Sequence, residues 1–425
     1  ALGENLRRDD LTDLEEARGY QAVLDLGLSA TRIARLTGSK PSRVKQALAV
    51  TASEAASTAM ANLSLTLDQA AAIAEFEDDP DTAAYLIEQA QRGEGSFRHA
   101  LSAKRNARED NARRHAAADA FSAAGITVLA DGYEDPDNWP DATAIDRLVD
   151  PGDPERKPLD ADTHSDCPGH AAVIDQWDPE RAGYYCTDPD THGHAPRWAS
   201  DSGTKSEPTD AQREAAKAER REVIANNRAW RDAEPVRREW LRDLLNRKRP
   251  PTGCLEFVTA EIMGRPDRVG DGSDAMLAGL LGIDSGGTWG RSVGAKLVAQ
   301  ATKPRLPLVL LAQVAADRET GMDVHTWRQH DPTDEARWLR FLASAGYTLS
   351  DIEQAVIDKV FPPAGTDTDD TEDPEAQADP DEDPEAQADV DEHPVADSRP
   401  DLTVIAGDAD HGAGPDDTTG DNDTA

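Results

Sequence analysis

LSATRIARLTGSKPSRVKQALAV, residues 28–50, decides how the first part of this chain folds. It reads as two short helices joined by a tight turn, a helix-turn-helix, the unit that lays its second helix into the DNA major groove. Ala34 places a small residue in the middle of the first helix, where the second must cross closely. Gly38 stands at the turn, where a left-handed backbone conformation is easiest for glycine. Val44 and Leu48 give the second helix an i, i+4 apolar face toward Ile33 and Leu36. Its opposite face carries Lys40, Ser42, Arg43, Lys45 and Gln46, side chains that reach phosphates or base edges. Residues 29–52 hold five cations (Arg32, Arg35, Lys40, Arg43, Lys45) and no acid, in a chain of formal net charge −38. That local reversal of sign points to a polyanionic partner. Ser42, Lys45 and Gln46 are the candidates for base reading, and Arg32, Arg35, Lys40 and Arg43 for phosphate positioning.

The stretch just upstream, ENLRRDDLTDLEEARGYQAVLDLGLS (residues 4–29), extends the pattern. Thr12 and Glu15 form a T-x-x-E capping box, and Leu14, Ala17, Tyr20 and Leu24 supply the buried stripe of a helix ending at Gly27. Together the two stretches resemble the ParB partition family at the join between its nucleotide-binding domain and its DNA-binding helices. The positions that carry the resemblance are Glu4, Asn5, Arg8, Asp9, Asp10, Leu11, Glu15, Glu16 and Ala17: an E-N-x-x-R stretch, an acidic pair with Leu, and an E-E-A helix. A looser likeness runs on to residue 105. There LSLTLDQAAAIAEF looks like the family's helix after the recognition helix, with Gln69 near where a His is common. The resemblance implies a sequence-specific protein that binds double-stranded DNA at a centromere-like site in plasmid or chromosome partition. It also implies a homodimer and a ParA-type ATPase as partner. A transcriptional regulator using the same helices is the alternative, which the motif does not separate from partition.

ParB proteins also carry a G-E-R-R type motif that helps bind CTP, and no Gly-Glu-Arg-Arg string occurs here. Glu4, Asn5 and Arg8 match one nucleotide motif only, and those three residues cannot enclose a triphosphate. The chain begins at Ala1, nearly at that motif, so the expectation is a truncated product or a fragment that neither binds nor hydrolyses CTP by itself. A residual CTP-dependent enzyme is the weaker reading, and no enzymatic activity is expected.

Composition bounds the rest. Residues 364–425 contain 22 acids against Arg399, a net charge of −21, with abundant Pro, Gly and Thr. Such a segment buries too little apolar surface to offset its ordering entropy, which predicts a disordered tail. It serves as a solubilising segment or as a DNA mimic competing for the basic helices. EDPEAQAD occurs twice in it, at residues 372–379 and 382–389, a period too short and polar for a solenoid. No apolar run is long enough to span a membrane, and LPLVLLAQVAA (residues 306–316) reads as a buried helix. No signal peptide is visible, and three cysteines fit a reducing cytosol better than a disulfide framework. The expected location is cytoplasmic, associated with nucleoid or plasmid.

The expected fold is mainly α, in four parts: a helix-turn-helix domain (1–110), a mixed region with a Cys/His hairpin (111–200), a helical domain (201–363) and the acidic tail (364–425). KRNAREDNARR (residues 104–114) reads as a polar helical connector, residues 126–129 as a strand, and residues 201–210 as a linker. From residue 211 the pattern is helical, with Pro235 dividing two long helices whose core side is Trp230, Val236, Trp240, Leu244 and Leu245. Residues 211–249 carry twelve cations and seven acids, a second DNA-contact surface or simply a solvated helix.

SDCPGHAAVIDQWDPERAGYYCTDPDTHGH, residues 165–194, spaces its ligands as C-x2-H, fifteen residues, then C-x5-H. AAVIDQW and AGYYCTD read as strands around a DPER turn, which would set Cys186 opposite Val173 at the Cys167–His170 end of the hairpin. Cys167, His170, Cys186 and His192 could then close a structural zinc site, with His164 and His194 as competing ligands. Other constellations fail. The chain has no G-x-x-x-x-G-K-[ST], H-E-x-x-H or G-x-S-x-G. Cys254 reads as a small core residue, the Gly-rich 282–294 as a loop, and His325 with Trp327 as packing or capping groups.

Overall fold

The computed structural model describes residues 11–129, 142–175, 181–198, 209–264, 274–283 and 291–363. Glu4, Asn5, Arg8, the linker before residue 209, the hairpin turn at 176–180, most of the Gly-rich loop and the acidic tail lie outside the described residues. Thr12 opens α1 (Asp13–Asp25) with the expected box: its hydroxyl accepts from the Glu15 N–H, and its own N–H donates to the Glu15 carboxylate at 2.9 Å. α2 (Ala30–Thr37) ends on Gly38 at φ +75°, and α3 (Pro41–Ala52) begins with Pro41 in its first turn, where a missing N–H costs nothing. Ile33, Ala34, Val44, Ala47 and Val50 share one buried cluster with Ala17 and Tyr20 of α1.

Leu36 does not join it and is 51 % exposed. The direction in which α2 buries its side chains lies between Ile33 and Ala34, and at about 100° per residue Leu36 points about 110° away. Ala34 and Ala47 close the seam instead, both buried. The chain continues through α4 (Glu54–Asn62), α5 (Leu67–Ala74), α6 (Pro80–Arg92) and the thirty-residue α7 (Glu94–Ala123). Residues 104–114 are helical as expected but lie inside α7, so the expected boundary at residue 110 falls within one continuous helix.

A small sheet follows, in the order β1-β4-β5-β2. It is built from β1 (Thr127–Val128), β2 (Thr143–Ala144), β4 (His170–Ile174) and β5 (Ala182–Cys186). β1 runs parallel to β4 and the other pairs are antiparallel, while β3 (Leu148–Val149) pairs with β6 (Ala195–Pro196) in a second ladder. The hairpin register differs from expectation. His170, not Val173, stands opposite Cys186, and Val173 faces Gly183.

α8 (Asp210–Leu245) is one helix of 36 residues with Pro235 inside it, not two helices. Pro235 lies on the exposed side, so its ring displaces no core contact, while Trp230, Val236, Leu244 and Leu245 bury the opposite side. Around α8 pack α9 (Cys254–Gly264), α10 (Asp274–Leu281), α12 (Leu306–Gly321), α13 (Thr333–Ser344) and α14 (Asp351–Val360); α11 (Arg291–Gln300) lies against α12. Cys254 is a buried core thiol that burial pushes up to about 11, and the Trp327 indole donates to Asn227 Oδ1 at 2.8 Å.

Within this helical core, Arg237 is buried. It donates to Glu319 at 2.8 and 3.1 Å and to Glu353 at 2.7 Å, tying α8 to α12 and α14. Trp338 of α13 donates to the same Glu319 at 3.0 Å. Removing one partner from such a set strands a buried charge, at a cost of about 3–5 kcal/mol. α7 and α8 pack together through Asn106, which donates to Asp232 at 2.7 Å, and through a bridge from Arg231 to Asp110. Near the start of α7, Gly95 approaches the segment between α13 and α14, where a Cβ would sit 2.2 Å from the Thr348 side chain. The chain divides into two units, residues 1–366 and 367–425, and all described residues belong to the first.

Candidate nucleic-acid interface and Cys/His cluster

α2 and α3 present Arg32, Arg35, Lys40, Ser42 and Lys45 exposed, on one acid-free stretch of sequence. Lys40 is the N-cap of α3, and its side chain makes no capping bond. The N-terminal turn of α3 therefore carries backbone N–H groups and the positive end of the helix dipole beside these cations. Two other predicted contact residues are engaged inside the protein. Arg43 is half-buried and donates to Glu16 at 2.6 and 3.1 Å and to Asp13 at 2.6 Å, so it braces α3 against α1. The hydrogen bonds to Glu16, with Asp13, outweigh burial and hold the Arg43 guanidinium more firmly charged than usual. Gln46 donates to Asp68 Oδ1 at 3.0 Å.

The turn itself is anchored from α1. Tyr20 is fully buried, its hydroxyl 2.7 Å from Ser39 Oγ and bonded to Glu16. Burial and then the Glu16 bond push this phenol above its ordinary range. Sequence reading missed the Asp13–Glu16–Arg43 brace. Its signal was Asp13 and Glu16 on α1, two turns and one turn before Tyr20, in a helix already expected to pack under the turn. Gln69 caps α5 with Thr66 and reaches Glu94 at 2.8 Å, a structural use of that position.

The second site lies at one end of the β4–β5 hairpin. A turn before β4 supplies His164 and Cys167, and a turn after Cys186 brings back His192 and His194. In the first, Asp160 accepts from the Thr163 N–H at 2.8 Å; in the second, Asp188 accepts from the Thr191 N–H at 3.0 Å. Gly193, at φ +75°, lets the second turn close. The ligand atoms that converge are those of His164, Cys167, Cys186 and His194, all within 4.8 Å of one another. His170 and His192, predicted as ligands, stand just outside. His170 Nδ1 is 2.9 Å from His164 Nδ1, and His192 Nδ1 is 3.4 Å from Cys186 Sγ. The register explains the exchange: with His170 directly across from Cys186, its ring stacks on Tyr184 rather than entering the cluster.

Burial, followed by the neighbouring His194, His170 and His192, lowers the His164 imidazole to about 4, and burial alone lowers His170. Burial likewise pushes the Cys186 thiol up. Gly169 leaves room for the cluster, because a Cβ there would lie 2.4 Å from His192 Nδ1 and 3.0 Å from Cys186 Sγ.

No protein-family profile matches the chain. A short segment is nonetheless similar to two curated proteins. Over 48 residues, 11 % of this chain, it is 54 % identical to the chromosome-partitioning protein Spo0J of Thermus thermophilus, covering 18 % of that protein. Over 48 residues it is also 52 % identical to the probable chromosome 1-partitioning protein ParB of Deinococcus radiodurans, covering 17 % of it. The chain thus spans less than a fifth of the length of the curated relatives it matches. Among the described residues, no helix is long and apolar enough to cross a membrane.

Proposed function

We propose that this chain binds double-stranded DNA sequence-specifically through α2 and α3, as a ParB-type component of a plasmid or chromosome partition system. The observation that carries the reading is the acid-free cationic stretch on these two helices, with Arg32, Arg35, Lys40 and Lys45 exposed in a chain of net charge −38. The identity of over half across 48 residues with two chromosome-partitioning proteins supports the partition role. In this reading α3 enters the major groove by its N-terminal turn. Ser42, Lys45 and Gln46 read bases, with Gln46 exchanging Asp68 for a base edge. Arg32, Arg35 and Lys40 hold phosphates. A homodimer would read a two-fold site, and a ParA-type ATPase would be the motor partner.

The test is selection of duplexes from a random pool by the full chain, followed by affinity measured against salt. One sequence family should be enriched. Three phosphate contacts give a slope of log K against log salt of about −3 per protomer. Arg35→Ala should weaken all duplexes alike and reduce the slope by about one, whereas Gln46→Ala should change preference at one base pair by about 1–3 kcal/mol. Arg43→Ala should act mainly on folding, lowering stability by about 1 kcal/mol or less because the pair is part-exposed. Equal, salt-independent affinity for every duplex overturns the reading. Genome-wide binding clustered near an origin supports partition, and binding spread over promoters would replace it with transcriptional regulation.

A further inference from the structure

We propose that His164, Cys167, Cys186 and His194 bind one zinc ion in a closed tetrahedral site that holds the β4–β5 module together. The distances fit an ion at the centre of the four. Two thiolates each 2.3 Å from a tetrahedral zinc stand about 3.8 Å apart, and a thiolate and an imidazole nitrogen about 3.5 Å. Cys167 Sγ and Cys186 Sγ are 4.0 Å apart, and His194 Nε2 is 3.5 Å from Cys167 Sγ.

His164 supplies a second, independent observation. It is 1 % exposed, its Nδ1 faces His170, and its Nε2 is buried with no hydrogen-bond partner. An orphaned nitrogen at this depth is costly unless something accepts its lone pair. With the proton on Nδ1 donated to His170, Nε2 becomes a metal ligand oriented from behind, as ligating histidines generally are. With Cys186 a zinc-bound thiolate, His192 Nδ1, 3.4 Å from its Sγ, would donate to it and play the same outer role. Two sulfur and two nitrogen donors select zinc over calcium or magnesium. Four protein ligands leave no open position, so the ion is structural.

The module also needs it. Among the described residues, its clustered core is Ile145, Leu148 and Cys186, with Leu159, Cys167 and Tyr184 alongside, and the other buried apolar side chains of the module, Val149, Ala171, Ala172 and Ile174, are mostly small. So small a core is commonly completed by a metal or a disulfide, and both thiols here are free.

Metal content of the purified full chain, and the absorption spectrum of the chain loaded with cobalt(II), decide the matter. One zinc per chain is expected, with thiolate-to-cobalt charge transfer and the intense visible bands of a tetrahedral S2N2 site. His164→Ala and His194→Ala should abolish stoichiometric metal. His170→Ala and His192→Ala should keep one ion, bound about 10- to 100-fold more weakly. Should the first pair fail to fold, the cobalt spectrum of the unaltered chain still discriminates, since an octahedral spectrum overturns the proposal. A chain that neither contains zinc nor takes it up overturns it, as does retention by His164→Ala and His194→Ala with loss by His170→Ala and His192→Ala. A Cys167–Cys186 disulfide in the freshly purified chain also overturns it.

Discussion

Arg35 and Arg43 look alike in the sequence and have different work in the fold. Arg35 is exposed, while Arg43 is spent on Asp13 and Glu16. Asp110 makes the same point for an acid. In a polar stretch it reads as a solvated charge, yet its side chain is 7 % exposed and bonded to Arg113 and Arg231. Burial raises its carboxyl pKa, but the bonds from Arg113 and Arg231 outweigh that and hold it below the usual carboxylate range. A carboxylate depressed in the folded state contributes stability that is present above its unfolded pKa and lost as pH falls through its folded one. Asp110→Asn is therefore expected to cost about 1–3 kcal/mol at neutral pH. That deficit should shrink below about pH 4. Denaturant titrations of both forms at pH 7 and pH 3 check this; an equal deficit at both would show that the charge is not what matters.

At the scale of elements, capping chemistry was readable and continuity was not. Thr12–Glu15 is one of several boxes found in the fold, with Thr66–Gln69, Thr209–Gln212 and Ser350–Glu353. Pro235 should have ended a helix by its own propensity, but α8 runs through it because burying Trp230, Val236 and Leu241 favours an uninterrupted stripe. Proline in a helix interior costs about 3 kcal/mol relative to alanine. Since Pro235 is exposed, Pro235→Ala should recover part of that, about 1–2 kcal/mol, with no loss of packing. A higher midpoint in thermal unfolding is the expected result, and a lower one would mean that a bend at Pro235 is needed to seat α8 between α7 and the C-terminal helices. The hairpin shows the complementary limit. Its strands were legible on either side of the DPER turn, but the observed pairing is offset by three residues from the expected one, and His170 stands outside the Cys/His cluster.

For the whole molecule, the uneven charge is the property with the longest reach. Residues 364–425 carry a net −21 and residues 29–52 a net +5. On the proposed DNA-binding reading, so many negative charges on one chain oppose a polyanion, and salt at cellular strength screens that opposition beyond about 8 Å. Deleting residues 364–425 is therefore expected to tighten DNA binding at low salt by about threefold, or about 0.7 kcal/mol. The difference should vanish at high salt. Affinities that match at low salt would leave those residues with no part in DNA binding.

Sequence alone determined the helical character of most of the described chain, the cap at Thr12, the turn at Gly38 and the basic stretch around that turn. These follow from local rules: glycine's left-handed freedom, side-chain capping and periodic apolar positions act within a few residues. Sequence also located the Cys/His hairpin. Which histidines converge, and which cations remain free, was decided by tertiary structure. His164 enters the cluster because a turn folds it back beside Cys167 and Cys186, and Arg43 leaves the exposed face because α1 brings Asp13 and Glu16 across to it. The α7–α8 bridge and the buried Arg237 set are of the same kind, joining residues more than eighty positions apart. Spacing along a chain records which groups are available; only packing brings distant charges and ligands within bonding distance and excludes the water that would otherwise satisfy them.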